Sequence, residues 1–135
     1  MILKNNLYTI KETKVDAQQG VFLLQLHPEH VIYQAHFPGQ PITPGVCIVQ
    51  MGKELLEDYL AQMPDKPWNG SVNLQVVKVK NVKFLSVISP DESLEITYQI
   101  GKIVISEDTG EVKTQIVVLA QNKAKAKISM TCKRL

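Results

Sequence analysis

One segment of this chain has the length and periodicity of a substantial helix, and everything after it reads as strand. Between about Pro44 and Met63, the residues Val49, Gly52, Leu55, Leu56, Tyr59, Leu60 and Met63 recur at three- and four-residue spacing, while Lys53, Glu54, Glu57 and Asp58 mark a polar side. Thr43-Pro44 supplies the start signal, with Thr as N-cap and Pro at the first helical position. Before the helix, residues 7–15 and 20–27 read as two short strands separated by Gly20. His27-Pro28-Glu29-His30 then predicts a loop or short turn. After the helix come a turn-rich linker at 64–71 and four strand-like stretches, Leu74–Ser86, Ser93–Ser106, Glu111–Gln121 and Lys123–Lys133. A single long helix with several long antiparallel strands is an α+β arrangement, the helix packed on or inside a curved sheet.

Size and charge narrow the functions open to such a fold. The 135 residues, 44% of them hydrophobic, suit one domain spanning 1–135. Fifteen Lys plus Arg against thirteen Asp plus Glu give a formal charge of +2, too little for a strong phosphate-tracking field, so no nucleic-acid partner is expected. The apolar runs fall far short of the roughly 18 residues of a membrane helix, so no membrane span is expected. The first ten residues lack the features of a secretory signal, which predicts a cytoplasmic protein. Cys47 and Cys132 show neither CxxC spacing nor a framework and read as reduced thiols.

Residues 38–45 concentrate five of the chain's fourteen Gly and Pro residues in eight positions, which fixes the backbone path. His36 stands just before this rigid loop, and the loop delivers the chain into a helix N-terminus. An imidazole that can act as a base near neutral pH is thereby placed close to amides that favour negative charge. That pairing suits proton abstraction beside a carbonyl, with the amide of Gly45 or Val46 stabilising an enolate-like oxygen. No GxSxG elbow, P-loop, GxGxxG or HExxH motif competes with this reading.

The string His36-Phe37-Pro38-Gly39-Gln40-Pro41-Ile42-Thr43-Pro44-Gly45-Val46 resembles the HFPGxPIxPGV signature of the hotdog-fold (3R)-hydroxyacyl-acyl-carrier-protein dehydratases of bacterial type II fatty acid synthesis. Weaker similarity extends over Val82-Lys83-Phe84 and Ser89–Ile96. The resemblance implies a hotdog fold and a dimer whose interface holds an acyl tunnel, with the histidine of one subunit facing a helix carboxylate of the other. It implies dehydration of a 3-hydroxyacyl thioester on acyl carrier protein to the trans-2-enoyl thioester, with no metal or cofactor. His36 takes the position of the catalytic histidine, Gly45 that of the amide polarising the thioester carbonyl, and Phe84 that of a tunnel-lining aromatic. Phe37, Pro44 and Val46 are the further candidate substrate contacts.

The family's carboxylate lies fourteen residues after the histidine, where this chain has Gln50. A primary amide can hold a water or a hydroxyl but cannot donate a proton as a carboxylic acid does. Three readings follow. Glu54, one turn further along, or a water substitutes in a dehydratase where Gln50 positions the leaving group. A related subunit supplies the carboxylate in a heterodimer. Or dehydration is lost and the fold serves acyl binding or thioester hydrolysis.

Other residues carry plainer readings. His27 and His30 lack a third ligand and are not expected to bind metal. Cys47 sits where a helix dipole lowers a thiol pKa, yet reads more simply as a small buried residue. The lysines at 78, 80, 83, 123, 125, 127 and 133, with Arg134, either guide an acidic carrier protein or keep strands soluble and unpaired. Lys133 and Arg134, at the chain end, are expected to be disordered.

Overall fold

A computed structural model describes residues 1–35 and 39–135. The elements in chain order are β1 (Tyr8–Val15), β2 (Gly20–Leu26), α1 (Val31–Ala35), α2 (Gly45–Gln62), β3 (Leu74–Phe84), β4 (Glu95–Ser106), β5 (Glu111–Ala120) and β6 (Lys123–Arg134). All six strands form one sheet in the order β1-β2-β4-β5-β6-β3, and every neighbouring pair is antiparallel. The α+β expectation and the strand spans therefore hold. The segment after His30 departs from the expected loop, closing into the short helix α1 with Tyr33 buried.

Helix α2 lies on one face of the sheet because its apolar stripe matches the inward residues of the strands. Cys47, Ile48, Met51, Leu55, Leu56, Tyr59 and Leu60 are buried against Phe22, Leu24, Tyr98, Ile116, Ile128 and Met130 in one core cluster. Gly52 permits the close approach: a Cβ there would stand 2.9 Å from Ile116 Cδ1. The buried Tyr98 hydroxyl donates to the Ile48 carbonyl at 2.8 Å, tying sheet to helix.

Two register shifts in β3, between Val76 and Lys78 and between Val79 and Asn81, reset its alternation. They pair Val76, Val79, Val82 and Phe84 with the inward-facing Cys132, Met130, Ile128 and Ala126 of β6. Lys78 and Lys83 pair with Thr131 and Lys127 on the opposite, outward face. β3 is an edge strand, and α2 does not fully cover its inward side: Val79 and Phe84 remain exposed.

The helix start differs from the Thr-cap expectation. The N-cap is Pro44, extended at φ −62° and ψ 147°, and no side chain caps the helix. The Pro44 carbonyl accepts from the amides of Cys47 and Ile48. Thr43 stands one position before the cap, and its Oγ1 is instead hydrogen-bonded to the Tyr33 hydroxyl at 2.9 Å. The end of the chain is also more ordered than its position predicts. Lys133 and Arg134 continue β6, and the Arg134 guanidinium lies 5.2 Å from the Trp68 ring centroid.

Candidate active site

The entrance to α2 gathers several of the candidate residues. Thr43 donates its amide to the Ile88 carbonyl at 2.8 Å, which anchors the chain just before Pro44 and Gly45. Gly45 opens the helix, where the first amides have no carbonyl one turn earlier to bond. No acidic side chain occupies this first turn, so its positive dipole end is not offset locally. The Phe84 ring packs directly on Gly45: a Cβ at that position would stand 2.8 Å from Phe84 Cζ and 3.0 Å from Cε2. A side chain at position 45 would have to push the ring aside. Phe84 is 52% exposed and Val46 68% exposed, so an apolar surface lies open beside the helix N-terminus. Leu85 and Val87, just beyond β3, are exposed as well.

Gln50 lies elsewhere. Five residues beyond Gly45, it is rotated about 140° around the helix. Its Nε2 donates to the Met1 carbonyl at 2.8 Å and to Glu54 Oε2 at 2.9 Å. It lines a groove of about 490 Å³ with Met1, Ile2, Lys53, Asn73 and Leu135, which includes neither Gly45 nor Phe84. Within one chain, then, Gly45 and Phe84 come together and Gln50 does not join them. His36 and Phe37 lie outside the described residues.

Glu54, placed by periodicity on the polar side of the helix, is 5% exposed. Its carboxylate accepts from the amides of Leu3 and Lys4, the Tyr8 hydroxyl and Gln50 Nε2, each at 2.8–2.9 Å. Burial, followed by the nearby Glu54 charge, holds the Tyr8 phenol well above its usual range, so it stays a donor. Lys4 adds an ion pair to Asp58 at 2.9 Å. Both oxygens of Glu54 anchor the chain's first residues to the helix, which leaves it poorly suited to stand in as an acid. The signal was in the numbering: positions 47, 51 and 54 follow the i, i+4, i+7 spacing of a buried stripe. Tyr33 was missed for a better reason, since a five-residue helix is too short to show periodicity.

The remaining candidates are structural. The Asn6 carbonyl can only accept, so His27 Nδ1 carries the proton there at 2.8 Å, and Nε2 accepts from the Thr9 hydroxyl. His30 Nδ1 accepts from the Ile32 amide. No metal-binding cluster of three such groups occurs among the described residues. Cys47 is fully buried, and burial raises its thiol pKa, opposite to the direction expected from the helix dipole. Burial likewise pushes the Cys132 thiol up to about 12. Both cysteines are free. Among the described residues no helix is long and apolar enough to cross a membrane.

A helix packed on a six-stranded antiparallel sheet in this order defines a hotdog fold. Solved structures share the fold. The dehydratase heterocomplex ApeI:P from Xenorhabdus doucetiae matches with TM-score 0.60 at 17% identity, over 87% of this chain and 89% of that one. A thioesterase from Haemophilus influenzae matches with TM-score 0.65 at 12% identity, over 97% and 80%. A thioesterase family protein from Silicibacter pomeroyi matches with TM-score 0.64 at 12% identity, over 98% and 88%. At such identities these likenesses establish the fold alone. The family follows from the sequence model of the ApeI-like group, described as ApeI dehydratase, which matches residues 12–129: the chain belongs to that family.

Proposed function

We propose that the protein dehydrates a (3R)-3-hydroxyacyl thioester carried on acyl carrier protein, giving the trans-2-enoyl thioester and water. The observation that carries this reading is the Gly45–Phe84 contact, which leaves the first helix amides beside an open apolar surface suited to a thioester carbonyl and its acyl chain. His36 takes the C2 proton as the carbonyl oxygen gains negative charge against the amide of Gly45 or Val46. The C2=C3 bond forms as the C3–O bond breaks. Because the amide of Gln50 has no proton to give as an acid, the imidazolium formed at His36 returns its proton to the departing hydroxyl. Gln50 holds that hydroxyl by hydrogen bonding. Phe37, Pro44, Val46 and Phe84 contact the acyl chain, and no metal or cofactor takes part.

Gln50 stands apart from Gly45 in its own chain, so the site is completed by a second subunit. The exposed Val79 and Phe84 on edge strand β3, with Leu85 just past its end, support association there, since an apolar edge left open invites pairing. That subunit is a second copy or, as in the heterocomplex fold relative, a different chain. The paired strands β3 and β6 carry Lys78, Lys80, Lys83, Lys123, Lys125, Lys127, Lys133 and Arg134 and no acidic residue. This concentration of positive charge supports an acidic carrier protein as the partner, encountered in the cytoplasm.

The test supplies a trans-2-enoyl thioester and follows loss of enone absorbance on hydration, with free thiol measured in parallel. Hydration that falls by about 100-fold or more in His36→Ala supports the assignment. Wild-type hydration in His36→Ala refutes it. Thiol release without hydration selects the alternative of a thioesterase, which the same fold serves in the Haemophilus influenzae relative. Turnover only after mixing with a carboxylate-bearing relative selects the heterodimeric alternative, and acyl binding without turnover a non-catalytic one.

A further inference from the structure

Tyr33 and Thr43 stand on either side of the segment that carries His36. Tyr33 is the buried residue of α1, and its hydroxyl meets Thr43 Oγ1 at 2.9 Å with both side chains out of water. Thr43 is fixed in turn by its amide N–H, which donates to the Ile88 carbonyl, and Tyr33 by its amide N–H, which donates to the His30 carbonyl at 3.0 Å. Two residues beyond Thr43 is Gly45, beneath Phe84. A buried hydroxyl pair contributes little net stability, because replacing both partners by apolar groups of the same shape is often nearly neutral. Phenylalanine and valine would fill these volumes. A hydroxyl pair does what apolar packing does not, in setting one direction and one separation between the two sides of the segment.

We infer that Tyr33 is a positioning residue: the Tyr33–Thr43 hydrogen bond ties α1, whose last residue precedes His36 in the sequence, to the stretch that enters α2 at Gly45. The inference rests on His36 acting as the base. Burial pushes the Tyr33 phenol up to about 12, so the hydroxyl keeps its proton throughout the neutral range and the brace stays made.

The experiment compares Tyr33→Phe, Thr43→Val, the double variant and Thr43→Ser in the full chain, measuring enoyl-thioester hydration and thermal unfolding. Misplacing a reacting group by about 1 Å can cost about 100-fold, so kcat should fall by about 10- to 100-fold in Tyr33→Phe and Thr43→Val, with KM changed by less than about twofold. The double variant should lose no more than either single one, because all three break the same bond. Thr43→Ser, which keeps the hydroxyl, should turn over like wild type; each single apolar variant leaves one buried hydroxyl unpaired and should lose about 4–10 °C of Tm, whereas the double variant, with neither hydroxyl, should unfold near the wild-type Tm while keeping the loss in kcat. Unchanged kcat in Tyr33→Phe, losses that multiply in the double variant, or a double variant that regains wild-type kcat together with its Tm would overturn the inference. His36→Ala run in parallel separates the two claims. If it is inactive while Tyr33→Phe matches wild type, the brace is wrong and the base stands. If it matches wild type, the base assignment fails and the brace falls with it.

Discussion

Replacing Glu54 tests whether this buried helix carboxylate is an anchor or an acid. Glu54→Ala leaves the Leu3 amide and the Tyr8 hydroxyl, both in buried hydrogen bonds, without an acceptor. Each buried donor left unsatisfied costs about 1–3 kcal/mol, so the pair costs about 4 kcal/mol. The Lys4 amide and the Gln50 amide group are closer to solvent and add less, since water can replace their partner. An unfolding entropy of about 2.1 cal/mol/K per residue over 135 residues converts this to a fall in Tm of about 14 °C. Glu54→Gln keeps one acceptor but turns an NH₂ group towards amide and hydroxyl donors, for about half that loss.

Thermal and urea unfolding measure these values directly. Tyr8→Phe should partly rescue Glu54→Ala, because it removes one of the orphaned donors. The double-variant cycle should therefore show coupling above about 0.5 kcal/mol. At temperatures well below Tm, both Glu54 variants should retain hydration activity. A stability loss under about 1 kcal/mol, or abolished turnover in a folded Glu54→Gln protein, would refute the anchor reading and return Glu54 to the list of catalytic acids.

The other expectations are more local. In Gly45→Ala the new methyl meets the Phe84 ring at 2.8 Å, so hydration should fall by about 10-fold or more, and Phe84→Leu in the same chain should recover part of it. Neither cysteine should react with iodoacetamide at pH 8 in the folded protein, since burial raises both thiols and takes Cys132 to about 12. Rapid labelling without unfolding would contradict their burial. For Cys132 the folded state holds its proton more tightly than the unfolded chain, whose thiol titrates near 9. Its contribution is thus complete below about pH 9 and is lost as pH climbs towards 12, with Cys132→Ala flattening that part of an unfolding-against-pH curve.

The helix and the strands were legible because their patterns are long enough to average over local exceptions. β3 shows where that reasoning stops. Its lysines and valines alternate only in part, and the two register shifts that place Val76, Val79 and Phe84 inward depend on pairing with β6, fifty residues away. The Thr43 cap failed for a related reason. A Thr-Pro start is a sound local signal, but the cap falls on Pro44, and the Thr43 hydroxyl pairs instead with Tyr33 from a helix too short to announce itself. At the candidate site, the family resemblance singled out Gly45 and Phe84, while their contact is a property of the folded chain. Glu54 was assigned to water because acidic residues usually face it, although its place in the stripe pointed inward.

Gln50 and Glu54 also bear on one another, and this changes what a restored carboxylate would do. Gln50 Nε2 donates to Glu54 Oε2 at 2.9 Å, while Glu54 already accepts from two backbone amides and a phenol. A glutamate at position 50 would place two carboxylates within hydrogen-bonding distance, where both cannot remain ionised and one must hold a proton. Gln50→Glu is therefore expected to destabilise the protein at neutral pH by about 1–3 kcal/mol and to recover that loss as pH falls and the shared proton binds. Any gain in dehydration should appear on the acidic side of neutrality, where the new carboxyl group is protonated and can act as the missing acid. A Gln50→Glu protein that is as stable as wild type at pH 8 would mean that the contact with Glu54 is dispensable. The amide at 50 would then have to be explained by the chemistry alone.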